Sequence, residues 1–99
     1  MSTSRVTESE LEAVCGRINK ALNRPLQPWI WDETPVRKIK AQIGNFHLSG
    51  AYGGYALHEM QTEGGGVRDV FGVGHVSKRE LAGRMRGMLE GISAAREKT

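Results

Sequence analysis

Leu11, Val14, Cys15, Ile18, Ala21 and Leu22 recur at the spacing that keeps side chains on one face of an α-helix, while Glu8, Glu12, Arg17, Asn19 and Lys20 fall on the other. This pattern predicts an amphipathic helix over residues 7–22. Thr7 stands as its N-cap with Glu10 three residues on, a capping box, and Val6 is placed to staple onto Leu11. Asn23 and Arg24 form the exit, because Pro25 cannot continue a helix. The same grammar returns near the end of the chain. Ser77 is the N-cap, Glu80 takes the third helical position, Val76 staples onto Leu81, and Leu81, Met85, Met88, Leu89 and Ile92 make the core face. Beyond Ser93 the polar residues 94–99 are expected to fray.

Between the helices the period changes to two. Residues 36–43 place Arg37, Ile39, Ala41 and Ile43 on one face and Val36, Lys38, Lys40 and Gln42 on the other, the pattern of a half-buried strand. Gly44 and Asn45 break it, and residues 46–49 either extend the strand past a bulge or belong to the turn. Residues 55–60 and 67–73 read as two further strands, joined through Gly64, Gly65 and Gly66, which suit a hairpin turn and set His58 about opposite Phe71. Residues 25–35 form a connector that proline keeps out of a helix or central strand. Its tryptophans, Trp29 and Trp31, either cap one end of the core or offer an exposed aromatic platform. Capping is the weightier reading, since large aromatics usually contribute buried area.

The elements describe one α+β domain over residues 1–99, with an ordered core from about residue 6 to residue 93. Its order is α-β-β-β-α, with two helices packed on one face of a three- or four-stranded antiparallel sheet. Leu11, Ile18, Ile39, Leu57, Phe71, Leu81, Met85 and Ile92 are the expected buried residues. A chain of 99 residues has only a thin core, so dimerisation would support it. The polar first ten residues and the lack of a long apolar run point to a cytoplasmic protein with no membrane partner. Cys15, the lone cysteine, excludes an internal disulfide and a cysteine-based zinc site.

Charge adds a mild pull toward acidic partners, with 14 basic against 11 acidic residues and a net charge of +3. Lys38, Lys40, Lys78, Arg79, Arg84 and Arg86 would carry sequence-tolerant nucleic-acid binding, and no base-reading motif accompanies them. The run from Gly72 to Arg79 passes from strand to helix N-terminus, where free amides, Ser77 and Lys78 would perch a phosphate-containing ligand beside Tyr52 and Tyr55. It lacks the third glycine of a dinucleotide fingerprint. His47, His58 and His75 match no compact metal motif, and Cys15 lies on an apolar helix face as an inert thiol. No catalytic constellation, metal or cofactor is expected.

The sharpest feature is Gly83, Gly87 and Gly91, spaced at i, i+4 within the second helix. Each costs about 1 kcal/mol relative to alanine, and the ridge lies about 140° round from the core face. Bare ridges admit a second backbone, either this chain's other helix or, as the leading version, a second copy in a homodimer.

The run Ala51-Tyr52-Gly53-Gly54-Tyr55-Ala56-Leu57, the Gly64–Gly66 turn and the stretch from Ser77 to Leu81 resemble small accessory proteins of tailed phages and prophages over about residues 19–92. That resemblance implies a host-cytoplasmic protein and assigns no activity. The reading is therefore a non-enzymatic interaction module, self-associating through the C-terminal helix, with a host protein or nucleic acid as a further partner. Nucleic-acid binding and phosphate-ligand binding are the alternatives.

Overall fold

The computed structural model describes residues 5–33, 35–36 and 38–97. Arg37 and the end of the tail, Lys98 and Thr99, lie outside the described residues. Helix α1 is Glu8–Ala21, and Thr7 Oγ1 accepts the Glu10 N–H at 3.1 Å, so Thr7 is the N-cap as expected, while the Glu10 carboxylate faces Arg86 instead of closing the capping box. Asn23 takes a left-handed φ of 57°, which lets its own N–H reach the Lys20 carbonyl and the Arg24 N–H reach that of Asn19. This closes the last turn in a Schellman pattern. Helix α2 is Lys78–Glu97, with Ser77 Oγ accepting the Glu80 N–H. It continues past Ser93 to Glu97. Arg96 donates to the Ala21 carbonyl at 3.0 Å, binding the last turn of α2 to the orphan carbonyls that end α1.

Among the described residues five strands lie between them: β1 Trp29–Trp31, β2 Ile39–Ala41, β3 Phe46–Ala51, β4 Gly54–Met60 and β5 Val67–Asp69. They form two antiparallel sheets, β3-β4-β5 and a separate β1-β2 ribbon. The α+β class and the flanking helices are as expected, while the single sheet is corrected to two. Gly44, at φ 91°, donates to the Met60 carbonyl, and Met60 donates back to that of Asn45, so two residues face one in a bulge. Beyond it the chain runs on as β3, longer than expected. Residues 36–43 shorten to β2 and pair with the Trp29–Trp31 segment, which is a strand rather than a plain connector. Gln61 N–H closes onto the Gly66 carbonyl, and His58 stands opposite Asp69, two residues from the expected Phe71.

Both helices pack on one face of β3-β4-β5 and on each other. The core joins Leu11, Val14, Cys15 and Ile18 of α1, Phe46 and Leu57 of the sheet, and Leu81, Ala82 and Met85 of α2. Five of the eight expected core residues are fully buried, and Phe71 and Ile92 are half-buried. Ile39 is the exception at 55% exposed, because its strand belongs to the ribbon and not to the sheet beneath the helices.

Asn19, assigned by periodicity to the polar face of α1, is 2% exposed. Its Nδ2 donates to the Phe46 carbonyl at 2.9 Å and its Oδ1 accepts the Phe46 N–H at 2.8 Å, so one amide engages both backbone groups at the edge of β3. Cys15 Sγ donates to the same carbonyl at 3.2 Å. Arg24 then spans from the end of α1 to the Gly44 carbonyl and the Glu59 carboxylate, with its guanidinium over the Phe46 ring. Replacing Asn19 by alanine strands a buried donor and acceptor and is expected to lower unfolding free energy by about 2–3 kcal/mol in urea titration. Replacing the exposed Lys20 by alanine is expected to change it by less than about 0.5 kcal/mol.

Candidate interaction surfaces

Register places Trp29 opposite Ala41, Ile30 opposite Lys40 and Trp31 opposite Ile39. Trp29, Trp31, Ile39 and Ala41 therefore share one face of the ribbon and Ile30 and Lys40 the other. Trp29 rests its ring against Gly65, where an added Cβ would come within 2.7 Å of it, and Ala41 N–H donates to the Glu63 carbonyl. These contacts anchor the ribbon to the β4–β5 turn. Its outer part stays open, with Trp29 43% and Trp31 56% exposed, and neither tryptophan belongs to the core cluster. The exposed-platform reading replaces the core-capping one. Leu26, Ile30, Val36, Ile39 and Ile43 are exposed in the same stretch of chain. The signal for this surface was present in a Trp-Ile-Trp run with no polar alternation.

Gly83, Gly87 and Gly91 point away from the core, and an added Cβ at each meets nothing within 4 Å. Close packing of this ridge against the chain's own first helix is thereby corrected: α1 packs on the Leu81 side of α2 instead. The basic residues fall into separate groups. Lys38 and Lys40 are exposed at the ribbon, Lys78 and Arg79 begin α2, Arg84 pairs with Glu80 at 3.1 Å, and Arg86 faces Glu10 at 3.7 Å.

At the start of α2 part of the expected phosphate perch is engaged by the protein itself. Asp69 accepts the N–H groups of Gly72 and Gly74, and Ser77 is engaged as the helix cap. Tyr55 and Lys78 do come together, with Lys78 Nζ 6.0 Å from the Tyr55 ring centroid, at an open cleft of about 690 Å³. Glu8 and Glu12 line the same cleft, and Glu8 accepts the Tyr55 hydroxyl at 2.6 Å, which raises the phenol's pKa. Two carboxylates oppose an anionic ligand there. Tyr52 is 98% exposed and turns to the other side of the hairpin, against His75.

Three histidines that are distant in sequence meet on the sheet face opposite the helices. His47 and His58 are direct cross-strand partners with ring centroids 5.9 Å apart, His75 follows 6.0 Å from His58, and Ser49 Oγ lies 3.0 Å from His75 Nε2. The turn at Tyr52 and Gly53, both at positive φ, makes the first pairing. The bridge between Tyr55 and Val76 brings in the third ring. Among the described residues no group of three or more histidine, cysteine or carboxylate side chains is arranged to hold a metal ion.

Burial lowers the pKa of His58, partly offset by Asp69 and reinforced by His75, and burial with the neighbouring His58 lowers that of His47. Burial would raise Asp69, but the amide bonds from Gly74 and Gly72 outweigh it and hold the carboxyl below its ordinary range. Glu59 behaves alike, its burial outweighed by the bonds and charge of Arg68 and Arg24. Burial pushes the Cys15 thiol up to about 12, the state of an inert sulfur.

Compared with family models, with curated proteins and with solved structures, the chain finds no match.

The lowered histidines bind fewer protons in the folded than in the unfolded chain, so their contribution to stability is complete above the ordinary value of 6.5 and is lost as pH falls through the lower folded values. The thermal midpoint is expected to drop as pH falls below about 6.5, and His58→Phe is expected to flatten that part of the profile in melts followed by circular dichroism.

Proposed function

We propose that the chain is a non-enzymatic interaction module that forms a homodimer through the β1-β2 ribbon. One observation carries this reading: two tryptophans and Ile39 stand exposed on one face of two short strands instead of joining the core. Trp29, Trp31 and Ile39 share one face of the ribbon, an exposed apolar patch of the kind that marks an interaction site.

A second copy suits the surface on charge as well. Asp32, Glu33 and Glu63 lie around the same ribbon as Lys38 and Lys40, so its rim carries both signs. An isologous contact needs that self-complementarity. Nucleic acid is the weaker partner. Lys38 and Lys40 flank the tryptophans, yet the aliphatic part of the patch would remain in water against a stacked base, and Arg84 and Arg86 face acids. A phage or prophage accessory origin, as the Ala51–Leu57 run suggests, fits a small module of this kind.

Light scattering of the full chain tests the proposal. The wild type is expected to show the mass of a dimer, Ile39→Lys together with Trp31→Ser to show a monomer, and Gly87→Leu to leave the dimer intact. Dissociation by Gly87→Leu alone would move the interface to the glycine ridge of α2, and a monomeric wild type would overturn self-association. In the ribbon dimer Gly87→Ala is expected to raise stability by up to about 1 kcal/mol, since the methyl group meets open space.

A further inference from the structure

β3 is an edge strand of the three-stranded sheet. Ala51 and Gly54 are the pair next to the two-residue turn, so alternate residues of β3, namely Phe46, Leu48 and Gly50, direct their backbone groups away from β4. Tyr55, opposite Gly50, agrees with this phase by turning its own N–H and carbonyl outward to Val76. Asn19 takes both groups of Phe46. At Leu48 and Gly50 the outward N–H and carbonyl make no hydrogen bond among the described residues. They form a short row of donors and acceptors in register for another strand.

This open edge runs along a groove whose wall is α1. The 690 Å³ cleft lined by Glu8, Glu12, Leu48 and Gly50 adjoins one of about 310 Å³ lined by Glu12, Gly16 and Leu48, and Glu12 and Leu48 belong to both. Gly16 bares the helix backbone there, and an added Cβ would meet nothing within 4 Å. The groove is of ligand-pocket size, which suits one extended strand better than the edge of a second sheet.

We propose that this groove binds an extended peptide, added as a strand to β3 at Leu48 and Gly50, with lysine or arginine side chains facing Glu8 and Glu12. Main-chain bonds would supply the affinity and the α1 carboxylates the selectivity. Lys78 stands over the Tyr55 ring in the same cleft, so the two carboxylates leave the wall net negative. The strand-pairing positions Leu48 and Gly50 lie outside the ribbon, and the smaller cleft reaches toward it only at Leu26, Gln27 and Pro28, ahead of β1, so the proposal stands whether or not the ribbon dimerises.

The test is an amide-resolved titration of the full chain with a capped heptapeptide alternating lysine and valine, at about 1 mM, beside one alternating glutamate and valine. The basic peptide is expected to shift the amides of Gly16 and of residues 48–51 and to slow exchange at Leu48 and Gly50 about tenfold. Glu12→Lys is expected to weaken binding about tenfold, and Gly16→Leu, which fills the groove from the α1 side, to abolish it while the remaining spectrum is kept. Equal binding of the acidic peptide, or shifts confined to the ribbon, would overturn the proposal. So would protection of Leu48 and Gly50 in the peptide-free protein, since a second copy would then already hold the edge.

Discussion

The pairing of one buried amide, Asn19, with both backbone groups of Phe46 is the constraint on which the rest of the structure depends. A sheet edge cannot be covered by an apolar helix face without leaving peptide groups unsatisfied. Asn19 resolves this by offering a side-chain copy of a peptide bond from within the helix. Once α1 is fixed at Phe46, Leu11, Val14 and Ile18 are committed to the sheet face, and α2 closes over them. Arg24 and Asn45 extend the same joint: one spans from α1 to Gly44 and Glu59, the other donates to the Pro25 carbonyl. The amide also sets where the edge of β3 is closed and, two residues further on, where it is open.

A second consequence is that the ribbon is excluded from the core. The bulge at Gly44 and Asn45 turns the chain so that β2 pairs with β1 instead of β3. The helices therefore cover the three-stranded sheet alone, and Trp29, Trp31 and Ile39 are held by the Gly65 contact and the Glu63 bond at a distance from the main hydrophobic cluster. A small domain with a thin core leaves these large side chains in water only at a cost of several kcal/mol, which association would recover.

Helix starts were legible because their signals are local: Thr7 with Glu10 and Ser77 with Glu80 are read within four residues, and both hydroxyls cap as expected, although the two glutamates turn to Arg86 and Arg84 instead of closing the boxes. What required distant partners was not legible. Periodicity placed Asn19 with the charged residues of α1 because nothing nearby announces a bond to Phe46. The alternation around Ile39 correctly indicated a strand but could not say which sheet it joins, and the glycine run at residues 64–66 marked a turn without fixing register, so His58 was set two residues away from its true partner. Of the candidate sites, the glycine ridge lies on the outer face of α2 as expected, whereas two of the amides expected to cradle a phosphate, those of Gly72 and Gly74, are taken by Asp69.

Because the chain contains just two tryptophans and both lie in β1, intrinsic fluorescence reports on the ribbon without any label. The most direct measurement is the emission maximum of the wild type across a dilution series, with the mass followed in parallel by light scattering. If the ribbon is the dimer interface, emission moves to shorter wavelength as the mass doubles, with one midpoint for both signals. A doubling of mass with unchanged emission would show that the copies meet elsewhere and would contradict the account.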